Sequence, residues 1–396
     1  MKEVSRIAAA VTPSTTMAID AMYKKMKADG IDVIGFGAGE PDFDTPDNIK
    51  KAAVAAIEAN FTRYTPTPGI EPLRAAVCRR LEADCGVSYA PSQITVASGA
   101  KHNVYIALQV LLNPGDEVIL PAPYWVSYYE MIKMAGGVPV VVNAPEEDDF
   151  KLNIDKLRSA VTEKTKAMIL NSPSNPTGMV YNREELSSIA RICVENEIYL
   201  ISDEIYYKLI YDGLPFVSVP SLGEDIKELT ILVNGVSKSY AMTGWRVGYA
   251  AANQRLSSLM SAYLSHSTSA PSSISQMAAL EALTGPQDSV ERMREAFEER
   301  RNYIVSRMNS ISGVSCLKPS GAFYVMMNLK RQLGRTLGGI EIRDSDDFAK
   351  AFLKTGLVAL VPCSGFGAPD FVRWSYATSM ENIKKGLDRL EQFLKG

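Results

Sequence analysis

The sequence predicts an α/β protein: a large domain built on a mostly parallel, doubly wound sheet, joined to a smaller α+β domain. Three observations predict it. Short apolar runs rich in β-branched residues recur through the middle of the chain without polar alternation, as strands buried on both faces require. Helical patterns separate most of these runs, the rhythm of βαβ units. The texture then changes at the break "TGPQD" (284–288).

In chain order, "QITVAS" (93–98) reads as a strand and "AKHNVYIALQVLL" (100–112) as a helix. "DEVILP" (116–121), "VPVVVN" (138–143), "TKAMILN" (165–171), "IYLISDE" (198–204), "LTILVNG" (229–235) and "WRVGYAA" (245–251) follow as strands. "REELSSIARICVEN" (183–196) is one of the intervening helices. Beyond the break comes a long charged helix (289–311), with Glu291, Glu295 and Glu299 on its exposed face. Strands at 322–329, 357–362 and 371–377, a helix near 345–354 and an amphipathic helix at 380–394 complete the chain. The expected division is a large domain over 46–283 and a small domain made of 1–45 with 284–396.

Composition excludes several classes. A net charge of −3 argues against a nucleic-acid partner, which calls for a basic face. No apolar run is long enough to span a bilayer. Five cysteines without C-x-x-C or zinc spacing read as reduced thiols. With no convincing signal peptide at the start, the expected compartment is the cytoplasm. Two histidines, His102 and His266, leave little room for a histidine metal site or a Ser-His-Asp triad. "GFGAGE" (35–40) starts like a dinucleotide fingerprint, but Glu40 replaces the third glycine and Pro41 prevents a helix from opening.

Lys238 is the better lead. It lies in a turn of small residues just past a buried-looking strand, where a lysine is unusual unless paired or reactive. Asn175 lies in the turn at the carboxyl end of the strand 165–171, Asp203 ends the next strand, and Tyr206 follows closely. Ligands of open α/β sheets collect outside such carboxyl ends. Arg246 and Ser237 are suited to hold a phosphate there. A lysine, a carboxylate and a phosphate anchor together point to pyridoxal 5′-phosphate (PLP).

"SNPTG" (174–178), "SDEIY" (202–206) and "SKSYAMTGWRVGY" (237–249), in this order, resemble the PLP-dependent aminotransferases of fold type I. The likeness is greatest to class I subgroup beta, the bacterial-type aspartate aminotransferases. "GAGEPDFDTP" (37–46), "YTPTPGIEPLR" (64–74), "APYWVSY" (122–128), "PSGAFYV" (319–325) and "RWSYATS" (373–379) fit as well, so the resemblance covers nearly the whole chain. It implies the roles that follow. Lys238 holds PLP covalently and moves the substrate's Cα proton. Asp203 keeps the ring nitrogen protonated, and Tyr206 and Asn175 donate to the ring oxygen. Ser237, Arg246 and the backbone of Gly99, Ala100 and Lys101 bind the phosphate, and Trp125 stacks on the ring. Arg373 pairs with the substrate α-carboxylate, helped by the Gly39 backbone. Tyr64 reaches the partner subunit's phosphate, which implies a homodimer with shared sites. Lys101, with Ser14 and Thr16, holds the distal carboxylate of an acidic substrate.

The implied reaction is ping-pong amino transfer between L-aspartate and 2-oxoglutarate. The shared residues leave open aromatic, alanine or prephenate donors, and a PLP-dependent lyase on the same fold. Thr12 stands where several prephenate-active members of the resembled family carry a lysine, which speaks against that donor.

Overall fold

Backbone pairing follows the apolar runs closely. The structure, a computed structural model, describes residues 2–12 and 15–395. Seven strands form the main sheet in the order Ile94–Ala97, Gly248–Ala251, Thr230–Gly235, Tyr199–Asp203, Thr165–Asn171, Glu117–Ala122 and Val138–Asn143. Pairing is parallel from Thr230–Gly235 outward to Val138–Asn143. Gly248–Ala251 alone is antiparallel to both its neighbours. Every residue of Thr230–Gly235 is buried, because apolar layers cover both faces of the sheet. One contains Leu73, Val77, Tyr249 and Ala279. The other contains Val104, Leu108, Ile201 and Met260.

The smaller unit has three antiparallel strands, Val361–Pro362, Phe371–Ser375 and Tyr324–Asn328. Its core gathers Phe297, Phe352, Trp374 and Leu387, and takes in Ile205, Tyr206 and Leu209 as well. Those last three follow the strand Tyr199–Asp203, so the smaller unit packs directly on the carboxyl edge of the main sheet. No helix among the described residues is long and apolar enough to cross a membrane.

One expectation needs correction. The strand expected from Trp245 begins only at Gly248. Thr243–Trp245 forms a 3-10 turn and Arg246 is left-handed, at φ 58° and ψ 50°. The Trp245 indole donates to Thr45 at 3.0 Å, which draws it away from the sheet. The first 45 residues, expected to pack with the smaller unit, make contacts on both units. Ile34–Gly35 does pair with Val358–Ala359, and Ile19 packs on Ala349 and Leu353. Residues 10–12 instead lie against the helix Val126–Met134 beside the main sheet. There the Thr12 hydroxyl donates to Glu130 at 2.6 Å, and Lys133 donates to the Ala10 carbonyl at 3.0 Å. Short polar contacts, which hydropathy does not reveal, decide that placement.

Candidate active site

A cavity of about 510 Å³ opens at the carboxyl ends of the central strands. Gly39, Ala100, Lys101, Trp125, Asn175, Asp203, Tyr206, Ser237, Lys238, Arg246 and Arg373 all line it. Gly99 stands at its edge as the N-cap of the helix Ala100–Leu111. Tyr64 does not join them and is fully exposed. Ser14 lies outside the described residues, as does the side chain of Thr16.

Asp203 forms the floor. It ends the strand Tyr199–Asp203 and is 4% exposed. Its Oδ2 accepts the Tyr128 hydroxyl at 2.7 Å, and its Oδ1 accepts the Ile205 N–H at 3.2 Å. Burial pushes its pKa up to about 6, against the pull of those two donors and of Lys238. Asn171 braces this end of the sheet. It donates to the Asp203 carbonyl at 2.9 Å and accepts the Asn175 N–H at 2.8 Å.

Lys238 faces the floor from the turn after Thr230–Gly235, and its Nζ donates to the Gly39 carbonyl at 2.5 Å. Burial chiefly lowers its pKa, to about 8. Arg246 and Arg373 push the same way, while Glu40 and Asp203 oppose them. A neutral, nucleophilic amine is therefore accessible near physiological pH.

The end of the pocket beside the helix Ala100–Leu111 is built from backbone. Gly99 has φ 91°, and a Cβ there would sit 2.5 Å from Arg246 Nη2, so only glycine lets the guanidinium close over the helix start. No side chain caps that helix, which leaves its first-turn N–H groups to an anion. Arg246 is fixed by the Thr243 and Ser98 carbonyls at 2.9 and 3.2 Å. Lys101 lies 4.7 Å over the Trp125 ring, and burial, then Arg246, lower its pKa.

On the opposite wall Arg373, 5% exposed, donates to Asn175 Oδ1 at 2.8 Å and to the Gly37 carbonyl at 3.1 Å. It lies 4.3 Å over the Tyr324 ring. Tyr206 and Tyr324 share a hydroxyl contact of 3.0 Å. Among the described residues, Lys101, Arg246 and Arg373 have no carboxylate partner within ion-pair distance.

Tyr128, Tyr324 and Asn171 were not singled out in the sequence. Tyr128 was within reach, because it lies one helical turn beyond Trp125 and so shares its face.

Among known proteins, the family described as "Aminotransferase class I and II" matches residues 31–390. The chain belongs to this aminotransferase family. It is 50% identical to an aspartate aminotransferase of Bacillus sp. (strain YM-2), over 97% of each chain. It is 46% identical to an aspartate/prephenate aminotransferase of Cereibacter sphaeroides, over the whole of both chains. The crystal structure of an aspartate aminotransferase from Rhizobium meliloti superposes with a TM-score of 0.96, at 39% identity, over 100% of this chain and 99% of that one. An aminotransferase of this family has the α/β architecture read from the strands.

Proposed function

We propose that this chain is a PLP-dependent aspartate aminotransferase that exchanges an amino group between L-aspartate and 2-oxoglutarate, yielding oxaloacetate and L-glutamate in two half-reactions. One observation carries the reading. A single pocket opposes a buried carboxylate, Asp203, and a lysine of lowered pKa, Lys238, to three cations that lack carboxylate partners. The residues fit the cofactor: an uncapped helix start and Arg246 suit a phosphate, and Asp203 suits a ring nitrogen. When bound, PLP supplies the electron sink for an amino acid that loses its Cα proton.

The chain's own groups do the rest. Lys238, neutral for a useful fraction of the time, holds the cofactor and then carries the proton. Asp203 stabilises positive charge at the ring nitrogen. The Tyr206 hydroxyl stays protonated, since burial, followed by Tyr324, raises its pKa. It therefore remains a donor. The Asn175 oxygen is occupied by Arg373, which leaves the Asn175 amide N–H free to donate. Arg373 offers its guanidinium fork to the substrate α-carboxylate, and Trp125 walls the ring. Lys101 takes the distal carboxylate, with Ser14 and Thr16 as further donors. Thr12 is tied to Glu130 and does not line the cavity, so prephenate is left out of the proposal.

The test is direct. Purified chain supplied with PLP should turn yellow, and borohydride should fix the cofactor covalently on Lys238, read by peptide mapping. A chain that gains no absorption band sinks the reading.

We also propose that the enzyme is a cytoplasmic homodimer in which the exposed Tyr64 serves the partner's phosphate site. Mixed Tyr64→Ala and Lys238→Ala chains should then regain activity, since one site of a mixed dimer keeps both residues. No recovery after verified subunit exchange would refute it.

A further inference from the structure

The helix Val126–Met134 starts directly after Trp125, its N-cap. Tyr128, 2% exposed, points from its first turn to the pocket floor. There its hydroxyl donates to Asp203 Oδ2 at 2.7 Å, and the Tyr128 and Trp125 rings meet edge to face at 5.2 Å and 88°. One side chain thus touches two of the groups assigned to the cofactor ring. Without it, the Asp203 carboxylate keeps a single hydrogen bond, from the Ile205 N–H, and is free to rotate.

We propose that Tyr128 is a positioning residue that orients the Asp203 carboxylate, holds negative charge on it, and sets the tilt of Trp125. The proposal deepens the PLP reading and rests on it for the identity of the ligand. The hydroxyl remains a donor throughout, since burial and the charge of Asp203 keep it from ionising. The groups facing Asp203 are few: Lys238 from the turn, Tyr128 from the helix, and Tyr206 beyond its own strand. The neighbouring Glu204 is occupied by Ser202 and Ser218 at 2.9 Å each and by the Val219 N–H at 3.2 Å. Tyr128 is therefore the one side chain that donates to the Asp203 carboxylate among the described residues.

Tyr128→Phe removes only the hydroxyl. In the cofactor-free chain, the Asp203 carboxyl is followed by infrared titration and assigned by its loss in Asp203→Asn. Its midpoint should rise in Tyr128→Phe and fall when fluorotyrosine, a stronger donor, replaces Tyr128. An unmoved midpoint overturns the proposal. The dissociation constant for PLP should rise about tenfold in Tyr128→Phe, the scale of one hydrogen bond to a charged group. It should change less than twofold when the same substitution is made in Asp203→Asn. Equal losses in both backgrounds would reduce Tyr128 to a packing role and overturn the proposal. Failure of the unaltered chain to take up PLP would refute the cofactor reading instead, and the titration would still decide the role of Tyr128.

Discussion

Two buried arginines in this chain meet opposite fates. Arg301 is fully buried in the helix Asp288–Asn309, and its fork closes on Asp212 at 2.8 and 2.9 Å, with Glu298 at 3.4 Å and the Pro319 carbonyl at 2.8 Å. Arg373 is nearly as buried, yet receives only neutral oxygens, from Asn175 and Gly37. A buried cation without a counter-charge is costly. Arg301 shows that the chain can supply one where the cation is structural. Where it withholds one, next to a cavity, the proposed substrate carboxylate is the counter-charge.

The sharpest way to break the contrast is to delete each cation. Arg373→Leu should cut kcat/KM for aspartate by about a thousandfold, the scale of a lost buried charge pair, and leave thermal stability unchanged or higher. Arg301→Met should cost about 3 kcal/mol of stability and leave kcat/KM of the folded enzyme within about twofold. If the two substitutions give the same profile, the distinction fails.

Asp203 is the acidic counterpart, a buried carboxylate with no cation bonded to it. Its pKa is raised from 3.8 to about 6. Between these values the folded chain holds a proton that the unfolded chain has released, so stability falls as pH rises through that window. In urea denaturation of the cofactor-free chain, Asp203 should contribute a loss on the order of 2 kcal/mol from pH 4 to 6. Asp203→Asn should remove that share and leave the similar slope of Glu204, whose pKa burial raises to about 7. An unaltered slope in Asp203→Asn would mean that this carboxyl ionises freely.

The smallest effect concerns Lys101, which is exposed. Lys101→Ser should lower kcat/KM for aspartate by about tenfold and affect alanine much less. Equal losses for both donors would make Lys101 a cofactor residue.

Most of this architecture was legible, because a strand covered on both faces has to be written in apolar residues. The run 165–171 coincides with such a strand, and 138–143 coincides with the edge strand, where Val138 and Val141 are exposed instead. The ends of elements were less so. Trp245 and Arg246 have strand-like composition, but hydrogen bonds and a left-handed bend claim them. In the pocket, charged groups announced themselves by being out of place in turns and strand ends. Tyr128 and Tyr324 did not, since an aromatic residue in a helix or strand looks the same whether its hydroxyl is idle or engaged.

The bend at Arg246 has a consequence for how this chain can drift. A non-glycine residue at φ 58° carries backbone strain on the order of 1 kcal/mol. Glycine there would relieve it and yield a sturdier molecule. On the proposed reading, the arginine is retained against that gradient only as long as selection rewards the phosphate assigned to it. In a lineage released from that demand, position 246 is where improved stability and lost catalysis would arrive in the same substitution.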